Sequence, residues 1–74
     1  MTLGENIKKN RLDRGWTLQK LASRMGVTPQ AICKWEQDKA SPLIYNVWDL
    51  ADIFDCTIDE LCGRKEKQHE QKQN

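Results

Sequence analysis

The side chains best placed for selective contacts are Gln30, Cys33, Lys34 and Gln37, which offer amide, thiol, amine and amide groups along one short segment. They fall within residues 15–42, GWTLQKLASRMGVTPQAICKWEQDKASP, where two short helical patterns flank a tight Met25-Gly26-Val27 turn. Thr28-Pro29 opens the second pattern. A bracing helix followed by a presented one is the layout of a helix-turn-helix, whose second helix suits a DNA major groove. The chemistry of such a face is hydrogen bonding to another molecule rather than bond breaking. No nucleophile has a base within reach by sequence, and no His, Cys and carboxylate cluster has ligand spacing. Accordingly no catalytic residue, metal site or cofactor is assigned, and the chain is not expected to be an enzyme.

The elements that must position this segment read as five helices and no strand. The first runs from about Leu3 to Arg14, with Leu3 and Ile7 on one face and Gly15 as its stop. Thr17 caps a second helix, about Leu18 to Met25, in which Leu18, Leu21, Ala22 and Met25 repeat at helical spacing. Gly26 permits a left-handed turn and Val27 plugs it into the core. Thr28 caps the third helix with Pro29 in its first position, where a missing N–H does no harm. Ile32 and Trp35 face inward there, leaving Gln30, Ala31, Cys33, Lys34 and Gln37 to point outward or sideways. A polar connection, Gln37 to Pro42, leads to a fourth helix from Leu43 to Phe54, expected to bury Ile44, Val47, Leu50, Ala51 and Phe54. Asp55 tolerates a left-handed stop, and Thr57 caps a short fifth helix whose Ile58, Leu61 and Cys62 close the core.

At 74 residues the chain has room for one small domain with a modest core. Residues 1–63 are read as that domain. From Arg64 the sequence RKEKQHEQKQN has no apolar residue and is expected to be a disordered polar tail, with His69 solvated in it. No apolar run is long enough to span a membrane, and the N-terminus lacks the apolar region of a signal peptide. Three cysteines, Cys33, Cys56 and Cys62, are odd in number and lack a close pair, which argues for free thiols. The net charge of +1 hides a polarity. Residues 1–39 carry Lys8, Lys9, Arg11, Arg14, Lys20, Arg24, Lys34 and Lys39 against Glu5, Asp13, Glu36 and Asp38. Residues 40–63 carry no base, but Asp49, Asp52, Asp55, Asp59 and Glu60. Such a chain can turn one end toward phosphate and the other away from it.

LGENIKKNR, LQKLASRMGVTPQAICKWE, QDKASP and DCTIDELCG, in this order and spacing, resemble the XRE-type helix-turn-helix family, the group of the lambda repressor and Cro proteins. The resemblance covers about residues 3–63. It implies a compact all-α, five-helix lambda-repressor-like domain that binds double-stranded DNA as a small transcriptional regulator. It also implies a homodimer on an inverted repeat, in the cytoplasm of a prokaryote or encoded by a phage, associated with the nucleoid. Carried over residue by residue, Gln30, Ala31 and Lys34 lie at the base edges. Gln can bond adenine bidentately and Lys can donate to guanine. Thr17, the backbone N–H of Leu18, Thr28, Lys39 and Ser41 match phosphate-contacting positions. Arg11 and Glu36 match an internal ion pair between the first helix and the end of the third.

Three departures bear on these expectations. Position 18, often Gln in the family, is Leu18, so only its backbone carries over to phosphate. Asn10 stands where an apolar residue is common, and Leu12 is expected to fill part of that space. Pro29 occupies a place where some relatives read a base, which narrows direct readout and enlarges the share of DNA shape.

Trp16 and Trp35 read as core, and Cys56 and Cys62 as small core hydrophobes. Trp48, at the border of the helix-four stripe beside Ile44 and Tyr45, suits either a contact between two copies or edge-of-core packing. A competing reading makes the chain a protein-interaction module of antitoxin type, with Ile44, Tyr45, Trp48 and the acidic end as its surface. Oxidation of Cys33 could disturb the reading face, but only neighbouring Lys34 favours a thiolate there, and no redox role is assigned.

Overall fold

Threonine hydroxyls open four of the helices, and each accepts a backbone N–H that the helix itself leaves without a partner. Thr2 accepts from Glu5, Thr17 from Lys20, Thr28 from Ala31 and Thr57 from Glu60. The computed structural model describes residues 1–63. The polar tail expected over 64–74, with His69, lies outside the described residues. Within them the chain forms α1 (Leu3–Asp13), α2 (Leu18–Met25), α3 (Pro29–Glu36), α4 (Ile44–Phe54) and α5 (Ile58–Cys62), with no strand. The helix α4 starts differently. Leu43 is its N-cap, and the Asn46 side chain reaches back to accept the Leu43 N–H at 3.2 Å.

The helices stop on left-handed residues. Gly26, at φ +71°, ends α2 and turns the chain directly into α3. A side chain there would face the left-handed penalty of about 1 kcal/mol or more. Asp55 does the same for α4 at φ +55°, as expected, and Asp38 does it after α3 at φ +58°. At that last site Lys39 N–H donates to the Lys34 carbonyl at 2.9 Å and Asp38 N–H to Trp35 at 3.0 Å, the paired closing bonds of a Schellman motif. The first helix ends at Asp13, one residue short of the expected Arg14, which is its C-cap.

Ile7, Leu21, Ala22, Ile32, Trp35, Val47, Leu50, Ala51, Phe54 and Leu61 form one continuous buried cluster drawn from all five helices. Gly4 sits where α1 crosses the end of α3. A β-carbon there would run into the carbonyl oxygens of Trp35 and Glu36 and the carboxylate of Asp38. This contact therefore needs glycine for space rather than for backbone freedom. At the far end of α1, Arg14 donates to the Phe54 carbonyl at 2.7 Å and lies over the rings of Trp16 and Phe54. The guanidinium thus meets the negative end of α4, a helix with no base in its own last turn.

Four expectations need correction. Ile44 is exposed rather than buried, because as the first residue of α4 it lies off the end of the stripe that Val47 begins. Leu12 is exposed as well and fills no space near Asn10; instead Asn10 donates to the Asn6 carbonyl one turn back at 2.9 Å. Trp16 is half-buried, its ring stacked against Phe54 with the Arg24 guanidinium over it at 4.8 Å. Cys56 and Cys62 pack against the core from its edge rather than inside it.

Candidate nucleic-acid interface

Ile32 and Trp35 are the two residues of α3 that enter the buried core, with half-buried Ala31 packed against it and Glu36 paired to Arg11 at the helix end. Because a helix turns about 100° per residue, Gln30 and Lys34 then share the opposite side, one turn apart. Both are exposed, and Ala31 between them is half-buried. A shallow surface groove is lined by the polar Thr28, Gln30 and Lys34 together with Ala31, Trp35 and Ala40, which supply its apolar part. Donors and acceptors therefore flank a small apolar surface, a combination that matches the edge of a base pair.

The start of α2 lies open beside this face. The Thr17 hydroxyl takes the Lys20 N–H at 3.0 Å, which leaves the N–H groups of Leu18 and Gln19 as the orphans of the first turn. Thr17 is exposed and Leu18 half-buried against the core. Helix starts of this kind carry partial positive charge and accept phosphate without a basic side chain. Thr28 has its hydroxyl committed to Ala31 N–H at 3.1 Å, and Pro29 has no N–H to give, so Gln30 offers the free donor at the start of α3. Lys39 and Ser41, in the connection that follows α3, are both exposed.

Arg11 and Glu36 meet across α1 and α3. Arg11 Nε donates to Glu36 Oε2 at 2.6 Å and Nη2 donates to Oε1 at 3.0 Å, a two-pronged pairing. Nη1 donates to the Trp16 carbonyl at 2.9 Å. The Glu36 carboxylate beside it raises the Arg11 pKa above the ordinary guanidinium value, outweighing burial, which pulls the other way. The guanidinium is charged at any pH the protein meets.

Ile44, Tyr45 and Trp48 are exposed together on the first turns of α4, with Leu43 just before them. They stand apart from the α3 groove. Cys33, half-buried on α3, accepts a weak contact from the Gln37 amide at 3.5 Å.

Two residues of this region were not singled out from the sequence. Asp38 is joined to the N-terminus of α1: Thr2 Oγ1 donates to its Oδ2 at 2.7 Å and Gly4 N–H to its Oδ1 at 3.1 Å. The tolerance of Asp for left-handed backbone, which identifies the stop at Asp55, was the available signal for Asp38. Ala40, in the apolar part of the groove, carries no local signal at all, since only the fold brings it beside Ala31.

A helix-turn-helix family model matches residues 7–61. The HTH-type transcriptional regulator AnsR of Bacillus subtilis (strain 168) is 34% identical over 65 residues, covering 86% of this chain and 56% of that protein. The cryptic phage CTXphi transcriptional repressor RstR of Vibrio cholerae serotype O1 is 30% identical over 64 residues, covering 86% of this chain and 57% of that protein. The chain thus spans just over half the length of these curated relatives. Among solved structures, the P22 c2 repressor protein in complex with a synthetic operator superimposes with a TM-score of 0.78 at 28% identity, over 82% of this chain and 92% of that one.

Proposed function

The chain belongs to the helix-turn-helix family, and from that premise we propose that it regulates transcription by reading a short double-stranded DNA sequence as a homodimer. The observation that carries the reading is the pairing on α3 of an inner face, Ile32 and Trp35, with an outer one, Gln30 and Lys34. Gln30 and Lys34 contact base edges, and Ala31 with the apolar part of the groove meets apolar groups there, the thymine methyl above all. Each good two-pronged contact discriminates by about 1–3 kcal/mol against the wrong base. Thr17, the Leu18 N–H, Thr28, Lys39 and Ser41 hold phosphates and fix the register. Arg11 and Glu36 set the angle at which α3 leaves the body of the domain.

The solved relative whose fold this chain shares is bound to an operator, which supports a DNA partner of the same kind. Family members of this type are DNA-binding regulators rather than enzymes. Residues 1–63 act as the DNA-binding unit. The exposed Ile44, Tyr45 and Trp48 serve as the contact between two copies, which places two reading helices roughly 34 Å apart on successive turns of one DNA face. The setting proposed is the cytoplasm of a bacterium or of a phage host, a reading supported by relatives that are a bacterial and a phage regulator.

The test is selection of randomised duplex DNA by the purified protein at two salt concentrations, followed by sequencing of the bound pool. Enrichment of an inverted repeat that persists at the higher salt is the expected result. A pool that stays random, with binding that collapses as salt rises, would reduce the interaction to phosphate attraction. The apolar face of α4 would then make a protein partner the better reading.

A further inference from the structure

We propose that Asp38 is a positioning residue for DNA reading, an exposed acid tied by both oxygens to the N-terminus of α1 so that α1 fixes the end of α3 and the connection carrying Lys39. The inference rests on the reading of α3 as the base-reading helix. Asp38 lies next to Lys39 in a connection assigned to phosphate, where a free carboxylate would repel DNA. It is not free. Its two oxygens accept from Thr2 Oγ1 at 2.7 Å and from Gly4 N–H at 3.1 Å, at the positive end of α1. Thr2 is itself held in place, since Oγ1 accepts from Glu5 N–H at 3.1 Å and Glu5 Oε1 accepts from Thr2 N–H at 2.9 Å.

The backbone of Asp38 works with its side chain. At φ +58° it reverses the chain so that Lys39 N–H reaches the Lys34 carbonyl at 2.9 Å. One residue thereby connects a base-reading position, a phosphate-contacting position and the start of α1. Arg11 and Glu36 tie the same two helices about two turns further along α1. Two separated attachments fix an angle where one would leave a hinge. Gly4, which admits no β-carbon at this crossing, shows how closely the two elements approach.

The sign of the effect separates this role from simple charge. Removing an acid near a polyanion ordinarily tightens binding to any sequence. Loss of the attachment should instead weaken binding to the preferred sequence alone. The test compares wild type, Asp38→Asn and Asp38→Gly on a duplex enriched by wild-type selection and on a scrambled duplex of equal length, over a salt series. Both replacements accept left-handed backbone; the Asn carbonyl can still accept from Gly4 N–H, and its NH2 can donate to the Thr2 hydroxyl in place of the bond that the second carboxylate oxygen accepted.

Asp38→Gly is expected to bind the enriched duplex about tenfold more weakly, with the scrambled duplex unchanged or tighter, a loss of about 1.4 kcal/mol of discrimination. Asp38→Asn should keep discrimination close to wild type. In the same samples, amide exchange at Gly4 should quicken in Asp38→Gly while core amides stay protected. Thr2→Val, which removes the Thr2–Asp38 bond together with the hydroxyl that caps α1, should shift discrimination the same way by less and covers the case in which Asp38→Gly does not fold. Equal tightening on both duplexes in Asp38→Gly would overturn the proposal and leave Asp38 as an ordinary nearby charge. Equal weakening on both would overturn it in favour of general destabilisation. If wild type enriches no sequence at all, the reading of α3 itself fails, an outcome distinct from either.

Discussion

Arg11 reaches two elements at once: two of its nitrogens hold the Glu36 carboxylate and a third holds the Trp16 carbonyl, which starts the turn into α2. Both charged side chains are almost wholly covered, at 10% and 6% exposure. A buried pair is costly to form and costlier to break, because a single deletion strands the remaining charge. Arg11→Met alone and Glu36→Leu alone are each expected to destabilise the domain by about 3–5 kcal/mol. The double variant should lose less than the sum and less than one of the singles. Urea unfolding followed by circular dichroism checks this. Strict additivity would show that the two residues act independently. The raised Arg11 pKa means that its contribution is complete below the ordinary guanidinium pKa and lost only as pH rises through the higher folded value. No pH dependence from this pair is expected in the neutral range.

Base reading and phosphate holding should separate by variant. Gln30→Ala and Lys34→Ala are expected to reduce the preference for the enriched duplex by about 1–3 kcal/mol each. Lys39→Ala should instead weaken enriched and scrambled duplexes alike, and flatten the slope of log affinity against log salt by about 0.9. Titrations at four salt concentrations measure both quantities. A salt-slope change without a preference change at Gln30 would remove it from the reading face. Replacing thymidine by deoxyuridine in the enriched duplex should weaken binding if the apolar part of the groove meets methyl groups.

The apolar face on α4 predicts an oligomeric state. Trp48 is 53% exposed, so Trp48→Lys should leave the fold intact while placing a charge in any contact between copies. Sedimentation is expected to show a monomer at concentrations where wild type pairs, with cooperative binding to an inverted repeat reduced at least tenfold. Unchanged sedimentation would move the contact elsewhere.

Cys56 gives a signal at alkaline pH. Burial, first, and the nearby Glu60 push its thiol above the ordinary 9.0, although Arg14 pulls the other way. A group whose folded pKa is raised contributes stability that is fully present below the unfolded value and fades as pH rises toward the folded one. Stability should therefore decline as pH climbs past about 9, and Cys56→Ala should flatten that decline. Thermal unfolding between pH 7 and pH 10 decides it; parallel curves for the two proteins would assign the loss to other groups.

Local chemistry made much of this legible in the sequence. Thr17, Thr28 and Thr57 mark helix starts because a short hydroxyl competes well for an orphan N–H, and Gly26 and Asp55 mark stops because few residues turn left-handed. Periodicity found Ile32, Trp35, Val47, Leu50 and Phe54 on inner faces. It failed at Ile44, where the spacing fits but the helix has only begun, and at Leu12, where an apolar residue was taken to imply a gap to fill. The contacts of Arg14 with Phe54 and of Thr2 with Asp38 join residues 40 and 36 positions apart, and no local pattern announces such pairs. Within the candidate site, the positions of Gln30 and Lys34 follow from helical spacing, whereas the groove beneath them depends on Ala40 arriving from the next segment.

The split between an inner and an outer face of α3 has an evolutionary consequence. Ile32 and Trp35 answer to the core, while Gln30 and Lys34 are exposed on the outer side. Substitutions at those outer positions leave packing untouched, so a lineage can drift from one target sequence to another without passing through an unfolded intermediate. The same separation makes the domain a transplantable holder: exchanging the outer residues of this two-turn helix for those of a relative should carry the relative's preference with them.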